Sequence, residues 1–375
     1  MGREVGIASP DVRVLQILTS ACAGGLSRYV LGMLPHLTGC GVESHLACTH
    51  ARGPHFEEMS RLVAATYVTE AHSQLSKLRW LVRTIRTVRP DAVHCHQEPV
   101  GLIAARLCGV PTRIETVHNS DYWSMDGHPL VWQVARFCTT QILVNNDTEQ
   151  AVVSERFRFG PVTLAPPGVD WNALPVPFPR SDAVEYGLPA GAGPIIGTIG
   201  RLDPLKGVTH LIAAFAEILR AYPHAALLIV GDGPERDALA EQVNVLGVGS
   251  RVRFAGYQVE AARWLGVMDL FVSASYRESL GLAVLEAAGM GVPVICSDIP
   301  GHRSIVESGR TGLTVKPKDT AALTAGMMSA LKEPALTKRM ALDARDRVRR
   351  GFSAEQFALK LAASYRYSQR RRAAS

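Results

Sequence analysis

Two apolar patterns alternate along the chain. Short runs rich in β-branched residues recur at Val12–Leu18, Val42–Thr49, Asp91–His96, Thr112–His118 and Gln141–Asn145. Runs of this length, bounded by Gly, Pro or polar residues, predict strands buried on both faces. Between them, Leu26–Leu37 and residues 77–89 place apolar residues at helical spacing. The pattern resumes at Pro194–Gly207 and continues through Ala226–Val230, Arg251–Phe254, Leu270–Ala274, Val292–Ser297 and Gly312–Val315, the last closing the sheet. Phe352–Tyr367 predicts a final helix. Strands that alternate with helices argue for a parallel α/β sheet in each half. Residues 173–193 break the pattern with proline and glycine. The predicted organisation is a first domain over 1–178, a linker over 179–193, a second domain over 194–350, and a C-terminal helix with a basic tail over 351–375.

Composition narrows this picture. The 375 residues are 47% apolar and 20% charged, enough for two cores in an ordinary globular protein. No apolar run approaches the roughly 20 residues of a membrane span. Residues 1–10 lack a cationic start followed by an apolar core, so no signal peptide is expected. The seven cysteines are scattered without a Cys-x-x-Cys pair, which points to a reduced cytoplasm rather than a disulfide framework. A net charge of +6 suits anionic ligands but is too diffuse to argue for nucleic acid. Lys77, Arg79, Arg83, Arg86 and Arg89 line one face of a predicted helix, opposite Leu78, Leu81, Val82, Ile85 and Val88. Either the apolar stripe packs on the sheet, or the helix makes a peripheral contact with an anionic membrane at its inner face.

The richest stretch for chemistry is Tyr276–Pro293. Asp269–Ser275 reads as a buried strand ending in small polar residues, and a turn and a helix start follow. Unpartnered N–H groups at such a helix start suit a phosphate. Glu278 falls in the turn and Glu286 about two turns into the helix. Ionised carboxylates accept well from neighbouring sugar hydroxyls. Arg201 and Lys206, in the loop after the first strand of the second half, can neutralise a diphosphate. Gly24-Gly25, between strand and helix, lets backbone approach a ligand. Gly231-Asp232-Gly233-Pro234 is either another backbone loop near a ligand or an ordinary βα turn. His94 and His96 share a strand face, but no third metal ligand stands at a recognisable spacing. Tyr122 or Trp123, within Asp121–Asp126, could stack on a sugar ring or simply pack in a core.

Glu278-x7-Glu286, followed by Gly291-Val-Pro-Val-Ile-Cys-Ser-Asp298, resembles the signature of glycosyltransferase family 4. The Gly200-Arg-Leu-Asp-Pro-Leu-Lys-Gly207 loop extends the resemblance, which covers nearly the whole chain and is strongest over 195–320. It implies a GT-B fold: two Rossmann-like parallel-sheet domains facing across a cleft, with the C-terminal helix returning to the first. It implies a retaining hexosyl transfer from a nucleotide diphosphate sugar, a UDP-sugar on family frequency, to a hydroxyl of a sugar, a glycoconjugate or a small polyol. The donor is then a co-substrate, and no cofactor is implied. By the same resemblance Glu286 binds ribose, Glu278 contacts the transferred sugar, and Ser279, Leu280, Gly281 and Leu282 face the phosphates. Gly24 and Gly25 lie over the phosphates, Gly231 and Tyr257 border the nucleotide, and His118 stands at the sugar. The usual Asp after that histidine is Asn119 here, so no carboxylate is expected beside it. The catalytic set would be His118, Arg201, Lys206 and Glu278. No Asp-x-Asp occurs, so no metal is expected on the diphosphate. Two other readings share the build: a nucleotide-sugar epimerase that needs no acceptor, and a non-catalytic nucleotide-sugar binding protein.

Overall fold

The computed structural model describes residues 11–21, 24–118 and 129–367, in two compact units. The first unit takes Met1–Asp170 and Phe352–Ser375, and the second takes Trp171–Gly351.

The first unit is built on seven strands: β1 Val12–Ser20, β2 Val42–Ala51, β3 Ala65–Val68, β4 Ala92–His96, β5 Thr112–Thr116, β6 Gln141–Val144 and β7 Val162–Leu164. They run parallel in the order β3-β2-β1-β4-β5-β6-β7. The second unit holds β8 Ile195–Ile199, β9 Ala226–Val230, β10 Val252–Gly256, β11 Leu270–Ser273, β12 Val294–Ser297 and β13 Leu313–Val315. These pair in parallel as β10-β9-β8-β11-β12-β13. In each sheet the direction of winding reverses beside the first strand, between β1 and β4 and between β8 and β11. The carboxyl ends of strands at such a reversal are where open α/β sheets take ligands.

The expected central strands are present. β3 and β7, which the apolar pattern does not announce, are short edges of half-buried residues. The helix Ala354–Tyr365 belongs to the first unit. Its Phe357, Ala358, Leu361, Ala362 and Tyr365 join the core of Val12, Val14, Leu18, Tyr29 and Met33. The basic tail beyond it, residues 368–375, lies outside the described residues.

The stretch read as a linker, 179–193, packs on the second unit, and the crossings between units fall at Asp170/Trp171 and Gly351/Phe352. Phe178 stacks on Tyr186 at 4.1 Å and meets the edge of Trp264 at 5.3 Å, and Leu188 is buried. Proline and glycine mark irregular backbone there, but the aromatic residues between them supply packing.

The cationic helix, Gln74–Val88, buries Leu81, Ile85 and Val88, and Lys77 pairs with buried Glu98 at 3.6 Å. Its apolar stripe is thus spent on the core. Among the described residues no helix is long and apolar enough to cross a membrane.

Candidate functional site

In the second unit the loops after β8 and β11, the strands that flank the reversal, bring Lys206 and Glu278 together. Lys206 Nζ lies 2.5 Å from Glu278 Oε1, and the Ser275 hydroxyl donates to the same oxygen at 3.1 Å. Both bonds use Oε1, which leaves Oε2 for a ligand hydroxyl. Burial pushes the Glu278 carboxyl up, but the Lys206 ammonium and these hydrogen bonds outweigh it and hold the group below the usual carboxylate range. Glu278 is therefore an ionised, ion-paired carboxylate at neutral pH.

Glycines fix this arrangement. Gly207 is left-handed (φ 62°), and a Cβ there would lie 2.3 Å from the Ala274 carbonyl oxygen, so the Lys206 loop rests directly on the end of β11. Gly281, also left-handed (φ 95°), precedes the helix Leu282–Gly289, and no side chain caps that helix start. Its bare Cα faces the His302 ring, which an added Cβ would meet at 2.9 Å. The first-turn N–H groups from Leu282 onward carry the partial positive charge of the helix start. Leu280 is buried and Ser279 half-buried beside them. Glu286 is only 5% exposed, in the second turn of this helix, and so is no solvated surface residue.

Arg201 does not join the Lys206–Glu278 pair. Its side chain is 63% exposed and stands 4.0 Å from Asp203. Gly231 has a structural reason to be glycine: a Cβ would fall 1.8 Å from the Gly200 carbonyl oxygen. Its N–H donates to the Gly256 carbonyl at 2.8 Å. The loop 231–235 also receives the Leu202 N–H at Asp232 and returns the Glu235 N–H to Leu202. It therefore clamps the start of the loop that carries Arg201 and Lys206. Tyr257 follows β10 and is half exposed.

His302 was not singled out in the sequence. Its Nδ1–H donates to the Ser297 carbonyl at 2.9 Å, which leaves Nε2 to accept from the Ser273 hydroxyl at 3.4 Å. Burial keeps the imidazole neutral. The adjacent Gly301 lies against the Glu278–Ser279 backbone, where a Cβ would be 2.5 Å from the Glu278 carbonyl oxygen. A glycine before a histidine, just after a buried strand, is the only sequence signal for it.

In the first unit, Gly24 (φ 143°) precedes the helix Gly25–Gly39, again with no side-chain cap. A Cβ on either glycine would meet nothing within 4 Å, so that backbone is open to a ligand. His118, half-buried just beyond β5, sits edge-on to Tyr29 at 4.7 Å, with its Nε2 3.1 Å from His96 Nδ1. Both ring nitrogens of His94 and of His96 are engaged by protein groups, which accounts for this pair without a metal. The Asp121–Asp126 stretch and Asn119 lie outside the described residues.

The histidine cluster makes stability pH-dependent. Burial lowers His94 and His118 to about 3 and takes His96 well below its ordinary value. In the unfolded chain these imidazoles take a proton near pH 6.5. Below that pH the unfolded state gains protons that the native state refuses, so this stability is complete above about 6.5 and drains away on acidification. Each histidine can remove up to about 1.4 kcal/mol per pH unit. Melting at about pH 5 should thus occur well below melting at about pH 7.5, with hydrogen exchange rising first in the first unit. Equal melting temperatures would contradict neutral burial.

Residues 187–347 match the family model for glycosyl transferases group 1, and residues 23–172 match that for glycosyltransferase family 4. The chain is 30% identical over 303 residues to a glycogen synthase of Mycobacterium tuberculosis, covering 75% of this chain and 70% of that one. It is 28% identical over 391 residues to a D-inositol 3-phosphate glycosyltransferase of Frankia alni, covering 92% and 95%. Anabaena Alr3699/HepE, solved with UDP-glucose, superposes with a TM-score of 0.80 at 20% identity, over 95% of this chain and 100% of that one. Sucrose-phosphate synthase from Thermosynechococcus elongatus superposes at 0.76 with 24% identity, over 97% and 100%.

Proposed function

The chain belongs to the group 1, family 4 glycosyltransferases of the GT-B fold, and from that premise we propose a retaining, metal-independent hexosyl transfer from a UDP-sugar to a hydroxyl acceptor. The observation that carries this reading is the Lys206–Glu278 pair beside the uncapped helix start at Leu282. A cation and a helix start on one side suit a diphosphate, and an ionised carboxylate beside them suits a sugar. The solved relative that holds UDP-glucose supports the choice of nucleotide.

In this reading the Lys206 ammonium and the N–H groups from Leu282 onward stabilise negative charge on the departing diphosphate. Glu278 accepts from a hydroxyl of the sugar through Oε2. Its charge favours the positive character that the ring gains as the anomeric carbon–oxygen bond breaks. Glu286 takes the ribose hydroxyls. Arg201, exposed on its loop, is free to swing onto the diphosphate when donor binds. Glu278 is held by Lys206 and Ser275 as a stabilising charge rather than as a nucleophile, so the acceptor attacks from the face the diphosphate leaves. The acceptor proton passes to the leaving phosphate oxygen, and the anomeric configuration is retained. The acceptor is a hydroxyl of a sugar, a glycoconjugate or a small polyol.

The test is transfer from UDP-hexoses in excess EDTA, with the product's anomeric configuration read by NMR. Turnover should persist without metal and retain configuration. Loss of activity that Mg²⁺ restores would overturn metal independence, and an inverted product would overturn the front-face route. Conversion of the donor alone into a different sugar, without any acceptor, would favour an epimerase.

A further inference from the structure

The neighbours of His118 form a continuous buried chain of hydrogen bonds that runs through the C-terminal helix and back to the sheet. His118 Nε2 lies 3.1 Å from His96 Nδ1, and His96 Nε2 lies 3.1 Å from Gln16 Oε1. The Gln16 amide nitrogen donates to the Tyr365 hydroxyl at 3.0 Å. That hydroxyl lies 2.9 Å from His94 Nδ1, and His94 Nε2 lies 2.6 Å from Thr116 Oγ1. Gln16, His94, His96, Thr116 and Tyr365 are all fully buried, so water cannot supply a missing donor or acceptor.

A neutral imidazole has one N–H and one lone pair, so each contact dictates the next. The Gln16 oxygen can only accept, which puts the His96 proton on Nε2 and a lone pair on Nδ1. His118 must then donate from Nε2, and its Nδ1, outside the chain, carries the lone pair. At the other end, the Tyr365 hydroxyl accepts from Gln16 and donates to His94 Nδ1, and His94 donates from Nε2 to Thr116. Rotating the Gln16 amide by half a turn would reverse every bond, and His118 would present Nδ1–H instead. The whole series therefore has two directions, and one side-chain amide selects between them.

We infer that Gln16 and Tyr365 are positioning residues that set the tautomer of His118, making its Nδ1 an acceptor for a ligand hydroxyl. Neither residue touches the outward edge of His118, and both act through His96. The consequence for transfer rests on the UDP-sugar reading and on His118 meeting the sugar, as the family resemblance implies, but the tautomer is a property of the unliganded chain. A hydroxyl that donates to Nδ1 in this tautomer would face an N–H in the other and lose its bond.

The experiment is long-range ¹H–¹⁵N NMR on histidine-labelled protein near neutral pH, in the parent, Tyr365→Phe and Gln16→Met. A protonated nitrogen and a bare one have well-separated ¹⁵N shifts, so the tautomer is read directly. The parent should show His118 as a single Nε2–H form, assigned by the signals missing in His118→Gln. Tyr365→Phe keeps the ring and the packing and removes only the hydroxyl. It should convert the His118 pattern to averaged shifts of both tautomers, and Gln16→Met should do the same. An Nδ1–H form in the parent would overturn the assignment. So would a His118 tautomer unchanged in both variants while their amide spectra stay folded. Because no donor or acceptor is present, failure of the UDP-sugar reading would leave this result standing.

Discussion

Replacing Glu278 with glutamine should lower turnover by two orders of magnitude or more while free UDP still binds, and replacing Glu286 with glutamine should weaken UDP itself. The Glu278 carboxylate balances the Lys206 ammonium at 2.5 Å and is proposed to face only the transferred sugar. Its charge counts for more as the ring becomes cationic than before, so the loss falls on kcat. Losses of about 10²–10³ are usual when one such electrostatic group is removed. Ribose is present in donor and product alike, so loss of the Glu286 charge weakens both. A charge-assisted hydrogen bond is worth roughly 1.5–3 kcal/mol, or about one to two orders of magnitude in Kd. Calorimetric titration with free UDP, beside steady-state rates with the full donor, separates the two. If Glu286→Gln binds UDP like the parent and Glu278→Gln does not, the site runs in the opposite sense. If neither change matters, the stretch is not the donor site.

Gly231→Ala should be among the most damaging single methyl groups in the second unit. The new Cβ would fall 1.8 Å from the Gly200 carbonyl oxygen, and the backbone there has φ 134°, which an L-residue rarely adopts. Neither backbone segment can yield cheaply. The Gly231 N–H is bonded to Gly256, and the Gly200 N–H to Val230. A cost of about 3 kcal/mol or more is expected, from strain and clash together. UDP binding should fail with it, because the loop that carries Arg201 and Lys206 starts at Gly200. Gly351→Ala, at the far end of the same unit, is the control: its Cβ would meet nothing within 4 Å. Thermal denaturation and UDP titration of both variants decide the matter, and a parent-like melt for Gly231→Ala would remove the clamp argument.

The sequence revealed most where one residue type has one physical use. Central strands such as Ala226–Val230 are wholly buried, and their continuous apolar runs announce them. β3 and β7 are half-buried edges, with no pattern to announce them. Lys206, Glu278 and Glu286 stood out through the motifs around them, which resemble the family's, and not through spacing alone. His302 did not, since it comes from the short helix Pro300–Arg303 after a different strand, and only the fold sets it against Gly281. Arg201 was grouped with Lys206 by proximity along the chain, yet its side chain lies out in solvent. His94 and His96 were visible as a pair on one face. Their alignment with His118 depends on the pairing of β4 with β5, which sets His96 opposite Thr116. Their link to Tyr365 depends on the last helix coming back to the first sheet.

That return also sets an order of manufacture. The second unit is one unbroken segment, Trp171–Gly351, and has all of its parts once that segment has left the ribosome. The first unit is begun earlier and finished later. Until Phe357, Leu361 and Tyr365 arrive, its core lacks side chains that are buried in the finished protein. A chain interrupted after Gly351 would hold every strand of both sheets, but the core of the first unit would lack the helix that covers it. The same Tyr365 that closes the core is also a link in the series of bonds leading to His118, so the helix Ala354–Tyr365 both seals the first unit and readies its histidine.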